Sequence, residues 1–240
     1  MSESTIRLVS LYPTLLGTYG DGGNVLALKH RARLHGLEVE VYDVDPGGAV
    51  PHDADLYVLG GGEDTAQVAA ANALRADGGL SAAANRGAAV LAICAGYQLL
   101  GESFPDATGS PAPGVGLLDI WTDRLPQRAV GELATNPNSG TGVDLDLTLT
   151  GYENHAGATH LGKDATPLAK VLAGIGNGDG TEGAVSGRVI GTYLHGPCLA
   201  RNPELADRLL GWISGRQLET ITEAAVEDLR RERLATVLDR

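Results

Sequence analysis

Only two cysteines, Cys94 and Cys198, occur in 240 residues, too few for a disulfide framework or a cysteine-rich zinc site. Each is judged by its neighbourhood. Basic charge is also scarce: 18 Lys and Arg against 30 Asp and Glu leave a net charge of −12. That opposes the positive footprint phosphate backbones and anionic membranes require, so nucleic acid is not an expected partner. No apolar run reaches the roughly 20 residues that span a bilayer. Met1–Ser10 has none of the zones of a signal peptide, and the expected location is cytoplasmic. The Gly-x-x-x-x-Gly-Lys-Ser/Thr pattern of an ATP-binding loop is missing too. Gly176–Gly180 is followed by neither lysine nor a helical stretch.

What is there reads as an ordinary globular chain, 43% hydrophobic and rich in turn-forming glycine. Strand-like Ile6–Leu11, Leu37–Val44, Leu56–Leu59 and Ala88–Ile93 alternate with helical stretches at Asn24–Leu34, Thr65–Leu74 and Ser81–Asn85, the pattern of a doubly wound α/β fold. Beyond Gly101 the texture changes. Val115–Leu125, Ala129–Ala134, Val143–Tyr152, Ala169–Ile175 and Arg188–Tyr193 read as strands that a mixed sheet would absorb. Asn202–Ile213 and Thr220–Leu238 read as closing helices, the last with Ile221, Ala225, Leu229 and Leu234 along a core-facing side. One domain over residues 1–240 is expected.

The most informative segment runs from Ala88 to Gly101: an apolar strand, then Cys94, then Ala95 and Gly96, then a helix-forming stretch. This is a strand–nucleophile–helix elbow. It places the thiol at the carboxyl end of a central strand, where open α/β sheets form their ligand crevice, and at a helix N-terminus. Small residues leave room for the turn, and the Ala95 N–H can face a developing oxyanion. Gly60-Gly61-Gly62, followed by Glu63 and Asp64, ends another strand and permits close backbone approach to a ligand. His195, in Gly191-Thr192-Tyr193-Leu194-His195-Gly196-Pro197, lies just beyond an apolar strand, and its ring can take a proton from a thiol and pass it on. Cys198 has no elbow and reads as a packing residue.

Cys94-Ala95-Gly96-Tyr97-Gln98 after an apolar strand resembles the nucleophile motif of class I glutamine amidotransferases, although Ala92 stands where a glycine is usual. The resemblance implies an α/β, flavodoxin-like fold with a central, mostly parallel mixed sheet flanked by helices. It also implies Cys94 as nucleophile, His195 as base, and an oxyanion hole from Ala95 and the glycine loop. Gly61 is the first choice there, with Gly60 and Gly62 open. Many relatives carry a glutamate two residues after the histidine, where this chain has Pro197. The orienting carboxylate is therefore either absent or expected from elsewhere, from a partner chain or from Glu63, Asp64 or Glu153.

Gly151-Tyr152-Glu153-Asn154-His155-Ala156-Gly157 narrows the resemblance to the cobyric-acid-synthase-like branch. Together with Thr18–Asn24, Gly60–Asp64, Arg128 and Gly178–Gly183, it is similar to the GatD family of glutaminase subunits of lipid II isoglutaminyl synthase. This implies Arg128 and Gln98 as glutamine-binding residues, with a guanidinium suited to a carboxylate. Asn154 and His155 either line the cleft or serve structure. It also implies no metal or organic cofactor, and a separate Mur-ligase-like ATP-dependent synthetase, MurT, as partner. Rival readings are a glutaminase serving cobalamin, pyridoxal or histidine synthesis, a Cys–His amide hydrolase, or a non-catalytic binding module.

Overall fold

The structure, a computed structural model, describes residues 5–238. Its first half is built from β1 (Ile6–Leu11), α1 (Gly23–Leu34), β2 (Val39–Val44), β3 (Leu56–Leu59), α2 (Asp64–Asp77), α3 (Gly79–Asn85), β4 (Ala89–Ile93) and α4 (Ala95–Leu99). Every residue of β3 and β4 is buried, as expected of parallel strands covered on both faces. The second half holds β5 (Ser103–Pro105), β6 (Pro111–Pro113), β7 (Ile120–Pro137), β8 (Leu149–Leu161), β9 (Ala169–Ala173), β10 (Thr181–Glu182), β11 (Ala184–Ser186) and β12 (Val189–Thr192). Helices α5 (Cys198–Arg201), α6 (Pro203–Ser214) and α7 (Ala224–Leu238) follow.

The strands form two sheets, not the one that the sequence pattern suggested. The first runs β11-β12-β4-β3-β1-β2 and is parallel except for β11. The second runs β10-β9-β7-β5-β6, with β8 paired to β7. Of the expected later strands only Arg188–Tyr193 joins the first sheet, as β12 beside β4. Of the expected Val115–Leu125 only the part from Ile120 is strand, and it runs on through the expected Ala129–Ala134 as the single strand β7. Its register with β8 breaks between Arg124 and Ala129, an irregularity that re-aims the side chains within it.

The sheets are stitched together at the histidine. Tyr152 on β8 and His195 exchange both backbone hydrogen bonds, at 3.0 and 2.9 Å. The chain crosses between sheets at Gly183, where φ is +61° and a Cβ would meet the Gly191 carbonyl at 2.5 Å. Only glycine fits both conditions. At the other side, Arg31 on α1 makes a bidentate pair with buried Asp207 on α6, and Asn24 Oδ1 accepts the Leu199 N–H at 2.8 Å. The second contact fixes the start of α1 and the first its last turn.

Helix α7 corrects its expected orientation. Ala225 and Leu229 are exposed, Ile221 and Leu234 are half-buried, and Arg230 alone in the helix is buried. The guanidinium donates to the carbonyls of Arg201 and Thr148 at 2.6 and 2.7 Å and to Asn202 Oδ1 at 3.0 Å. These acceptors, rather than an apolar stripe, set which face turns inward.

Candidate active site

Cys94 sits between β4 and α4 with φ 53° and ψ −106°, a backbone conformation disfavoured for a residue with a Cβ and worth about 1–3 kcal/mol of strain. Flanking strands hold it there. β4 lies between β12 and β3, and the Cys94 N–H donates to the Thr192 carbonyl at 2.8 Å. The side chain reaches a small cleft lined by Tyr19, Gly62, Gln98, Arg128, Asn154 and His155, among others. Cys198 is fully buried at the start of α5, and burial pushes its thiol up, as suits an inert packing residue.

His195 is brought to Cys94 by the pairing of β12 with β4. Its Nδ1 lies 3.1 Å from Asp21 Oδ1, a carboxylate for which Glu63, Asp64, Glu153 and a partner chain had been the candidates. Glu63 instead accepts from Tyr19, Asp64 pairs with Arg124, and Glu153 serves His155 and two backbone N–H groups. Asp21 lies in the turn leading into α1, buried to 1% exposure. Burial alone lowers the proton affinity of His195. Asp21 and the Cys94 sulfur outweigh it and push the ring up to about 10. Its Nε2 is buried and unpartnered among the described residues.

The second Asp21 oxygen accepts the Gly61 N–H at 2.8 Å. The donor expected to face an oxyanion is thus engaged with Asp21, while Gly62 lines the cleft. Close approach explains the glycine at 61, where a Cβ would meet His195 Cε1 at 2.9 Å. Ala95 is the first residue of α4, where an N–H has no carbonyl four residues back to bond.

The second sheet supplies the opposite wall. Arg128 lies in the irregular stretch of β7, its Nε donating to Asn154 Oδ1 at 2.7 Å and an Nη to the Asn154 carbonyl at 3.3 Å. Gln98 is mostly engaged internally: its Nε2 donates to the Tyr193 hydroxyl at 3.0 Å and its Oε1 accepts from Gln67 at 2.9 Å. His155 both lines the cleft and serves structure, since Glu153 and the Gly157 carbonyl hold its ring nitrogens and it stacks on Tyr193 at 3.6 Å.

Residues 7–203 match the CobB/CobQ-like glutamine amidotransferase domain. The chain belongs to that family. Among curated relatives of this amidotransferase, lipid II isoglutaminyl synthase (glutamine-hydrolyzing) subunit GatD of Streptococcus pneumoniae is 34% identical, covering 96% of this chain and 89% of that one. The GatD subunit of Staphylococcus aureus is 35% identical over 81% of this chain and 79% of its own. Cobyric acid synthase of Sphingopyxis alaskensis is 36% identical, but the match covers only 40% of that longer protein.

The fold matches a crystal structure of a glutamine amidotransferase with TM-score 0.57 at 19% identity, over 86% of this chain and 98% of that one. It also matches the glutaminase domain of Trypanosoma brucei CTPS with TM-score 0.56 at 10% identity, over 90% and 97% of the two chains. An amidotransferase of this family takes its nitrogen from glutamine. Here Cys94 and Arg128 line one cleft, and the His195 imidazole is buried beside Cys94.

Proposed function

We propose that this amidotransferase is the glutaminase subunit of a lipid II isoglutaminyl synthase. It hydrolyses L-glutamine and delivers ammonia to a Mur-ligase-like ATP-dependent partner, MurT, which amidates the D-glutamate α-carboxyl of the peptidoglycan stem. The observation that carries the chemistry is Cys94, strained at the head of α4, beside a His195 whose other nitrogen faces a buried carboxylate. The acceptor assignment rests on the GatD relatives, matched over most of both chains, against 40% of the cobyric acid synthase. The proposed setting is cytoplasmic. No helix among the described residues is long and apolar enough to cross a membrane.

In this reading Arg128 holds the glutamine α-carboxylate and Cys94 sulfur attacks the side-chain amide carbon, its proton residing on His195. The Ala95 N–H and a glycine-loop N–H, assigned to Gly62, stabilise the oxyanion. His195 gives its proton to the departing nitrogen as the C–N bond breaks, leaving a γ-glutamyl thioester. Water, deprotonated by the same histidine, then hydrolyses the thioester and releases glutamate. Gln98 shapes this wall of the cleft through Tyr193 and Gln67.

Amidation of lipid II by the reconstituted complex tests the reading. Cys94→Ser is expected to abolish amidation from glutamine and to leave amidation from supplied ammonium intact. Undiminished glutamine-dependent amidation in that variant refutes the mechanism. Failure of the wild-type complex to amidate lipid II from either nitrogen source refutes the acceptor.

A further inference from the structure

Gly178-Asp179-Gly180-Thr181-Glu182-Gly183 has no part in the mechanism above, yet it carries a fully buried carboxyl group. Glu182 is the last residue of β10, at the point where the chain leaves the second sheet for the first. The loop before it is tied down from several sides. Asn177 donates to Thr181 Oγ1 and to the Gly183 carbonyl, at 3.0 and 2.9 Å, and its Oδ1 accepts from Tyr97 on α4 at 3.2 Å.

Glu182 Oε1 accepts both the Thr192 hydroxyl and the Tyr193 N–H, the latter at 3.0 Å. Thr192 Oγ1 in turn accepts the Leu194 N–H at 3.1 Å. One carboxyl oxygen thus anchors three consecutive residues, and the fourth is His195. The Thr192 carbonyl holds the Cys94 N–H, so the same anchor reaches the nucleophile.

Resting on the reading of Cys94 and His195 as the reacting pair, we infer that Glu182 is a positioning residue that sets the geometry of both through Thr192 and Tyr193. It does not line the glutamine cleft and touches no reacting atom. What it supplies is an acceptor rather than a charge. Burial pushes the carboxyl up to about 7, against the hydrogen bonds from Thr192, Tyr193 and Gly183. Its Oε2 is buried with no hydrogen-bond partner among the described residues, so a neutral side chain with a carbonyl at the Oε1 position meets the same demand. Without that acceptor, the buried Thr192 hydroxyl and Tyr193 N–H lose their partner and must shift to find another.

Steady-state glutaminase kinetics of the complete chain, with melting temperature recorded, test the assignment. Glu182→Ala is expected to lower kcat by about 10- to 100-fold, the cost of a small misplacement at a distance, with KM within about twofold of wild type. Alkylation of Cys94 by iodoacetamide, which does not need the glutamine subsite, should slow in parallel. Glu182→Gln is expected to recover kcat to within about threefold, because its amide oxygen accepts both bonds. Thr192→Val removes one of those bonds in a side chain of similar shape, lowers kcat in the same direction, and serves if Glu182→Ala does not fold.

Wild-type kcat in Glu182→Ala or in Thr192→Val overturns the inference. So does a Glu182→Gln protein as impaired as Glu182→Ala, or a loss confined to KM. Failure of the underlying reading shows differently, as glutaminase activity surviving in Cys94→Ser.

Discussion

The two sheets divide the work unequally. The parallel sheet brings Asp21, the Gly60–Gly62 loop, Cys94 and His195 to its carboxyl-terminal edge. Its central strands are buried throughout, and the backbone strain at Cys94 is held by strands on both sides. The second sheet, antiparallel except between β5 and β7, presents Arg128, Asn154 and His155 from a two-stranded ribbon in which Val130 and Tyr152 are exposed. The proposed reacting groups thus come from a deeply buried part of the molecule, and the proposed substrate-holding groups from a more exposed one. Changes in the first sheet should therefore strike kcat, and changes on the ribbon should strike KM.

The largest effect expected is that of Asp21→Asn. An amide at Asp21 can accept from His195 or from Gly61, but it cannot supply the charge that favours the protonated ring. By comparison with a cost of about 10⁴-fold for the equivalent change in a serine-protease triad, kcat should fall by two or more orders of magnitude. The pH profile gives an independent mark. Asp21 and the Cys94 sulfur outweigh burial and push the His195 ring up to about 10. Removing the carboxylate lowers that value, so the alkaline limb of kcat should move to lower pH. Wild-type kcat with an unmoved limb in Asp21→Asn would return the orienting role to a carboxylate of the partner chain.

Arg128→Ala tests the other side of the division. Losing a charge-assisted pair with the α-carboxylate, worth about 1.5–3 kcal/mol, should raise the glutamine KM by roughly 10- to 100-fold and leave kcat within a few-fold. Arg128→Lys should recover little, because an ammonium cannot reproduce the planar fork. A loss in kcat instead of KM would mean that the ribbon positions the reaction as well as the substrate.

The same contrast explains what was legible in the sequence. Leu56–Leu59 has the bounds expected of it, and Ala88–Ile93 is off by one residue, because buried parallel strands are continuous apolar runs between turn residues. The ribbon lacks that signature. Residues 125–128 interrupt its register, so one long strand read as two, and Val143–Tyr152 proves to be mostly loop before β8 begins at Leu149. Cys94 and His195 were legible because each stands where an apolar strand ends. Asp21 was not, although Thr18–Asn24 stood out as a motif. It meets His195 across 174 residues of sequence, and that pairing is made by the order of strands rather than by local pattern. The available signal was a carboxylate among glycines at a strand-to-helix turn in a doubly wound fold, the place where such sheets gather their ligands.

The smallest effect should come from α7, which belongs to neither sheet. Arg230→Met keeps an unbranched apolar stem and removes the guanidinium that ties the helix to Arg201, Asn202 and Thr148. Each carbonyl left without a donor costs about 1–3 kcal/mol while the helix stays docked. Undocking limits that cost by returning those carbonyls to water, and little apolar surface on α7 opposes it. Amide exchange across residues 224–238 should therefore accelerate in the variant. Exchange in β4 and β12 should be unaltered, and glutaminase kcat should stay within about twofold, since distant independent sites perturb one another little. Unchanged protection in α7 would mean that apolar contacts, including half-buried Leu234, hold the helix after all, as its sequence pattern suggested. A fall in kcat would instead show that the tie through Arg201, which packs beneath Gly196 next to His195, reaches the base.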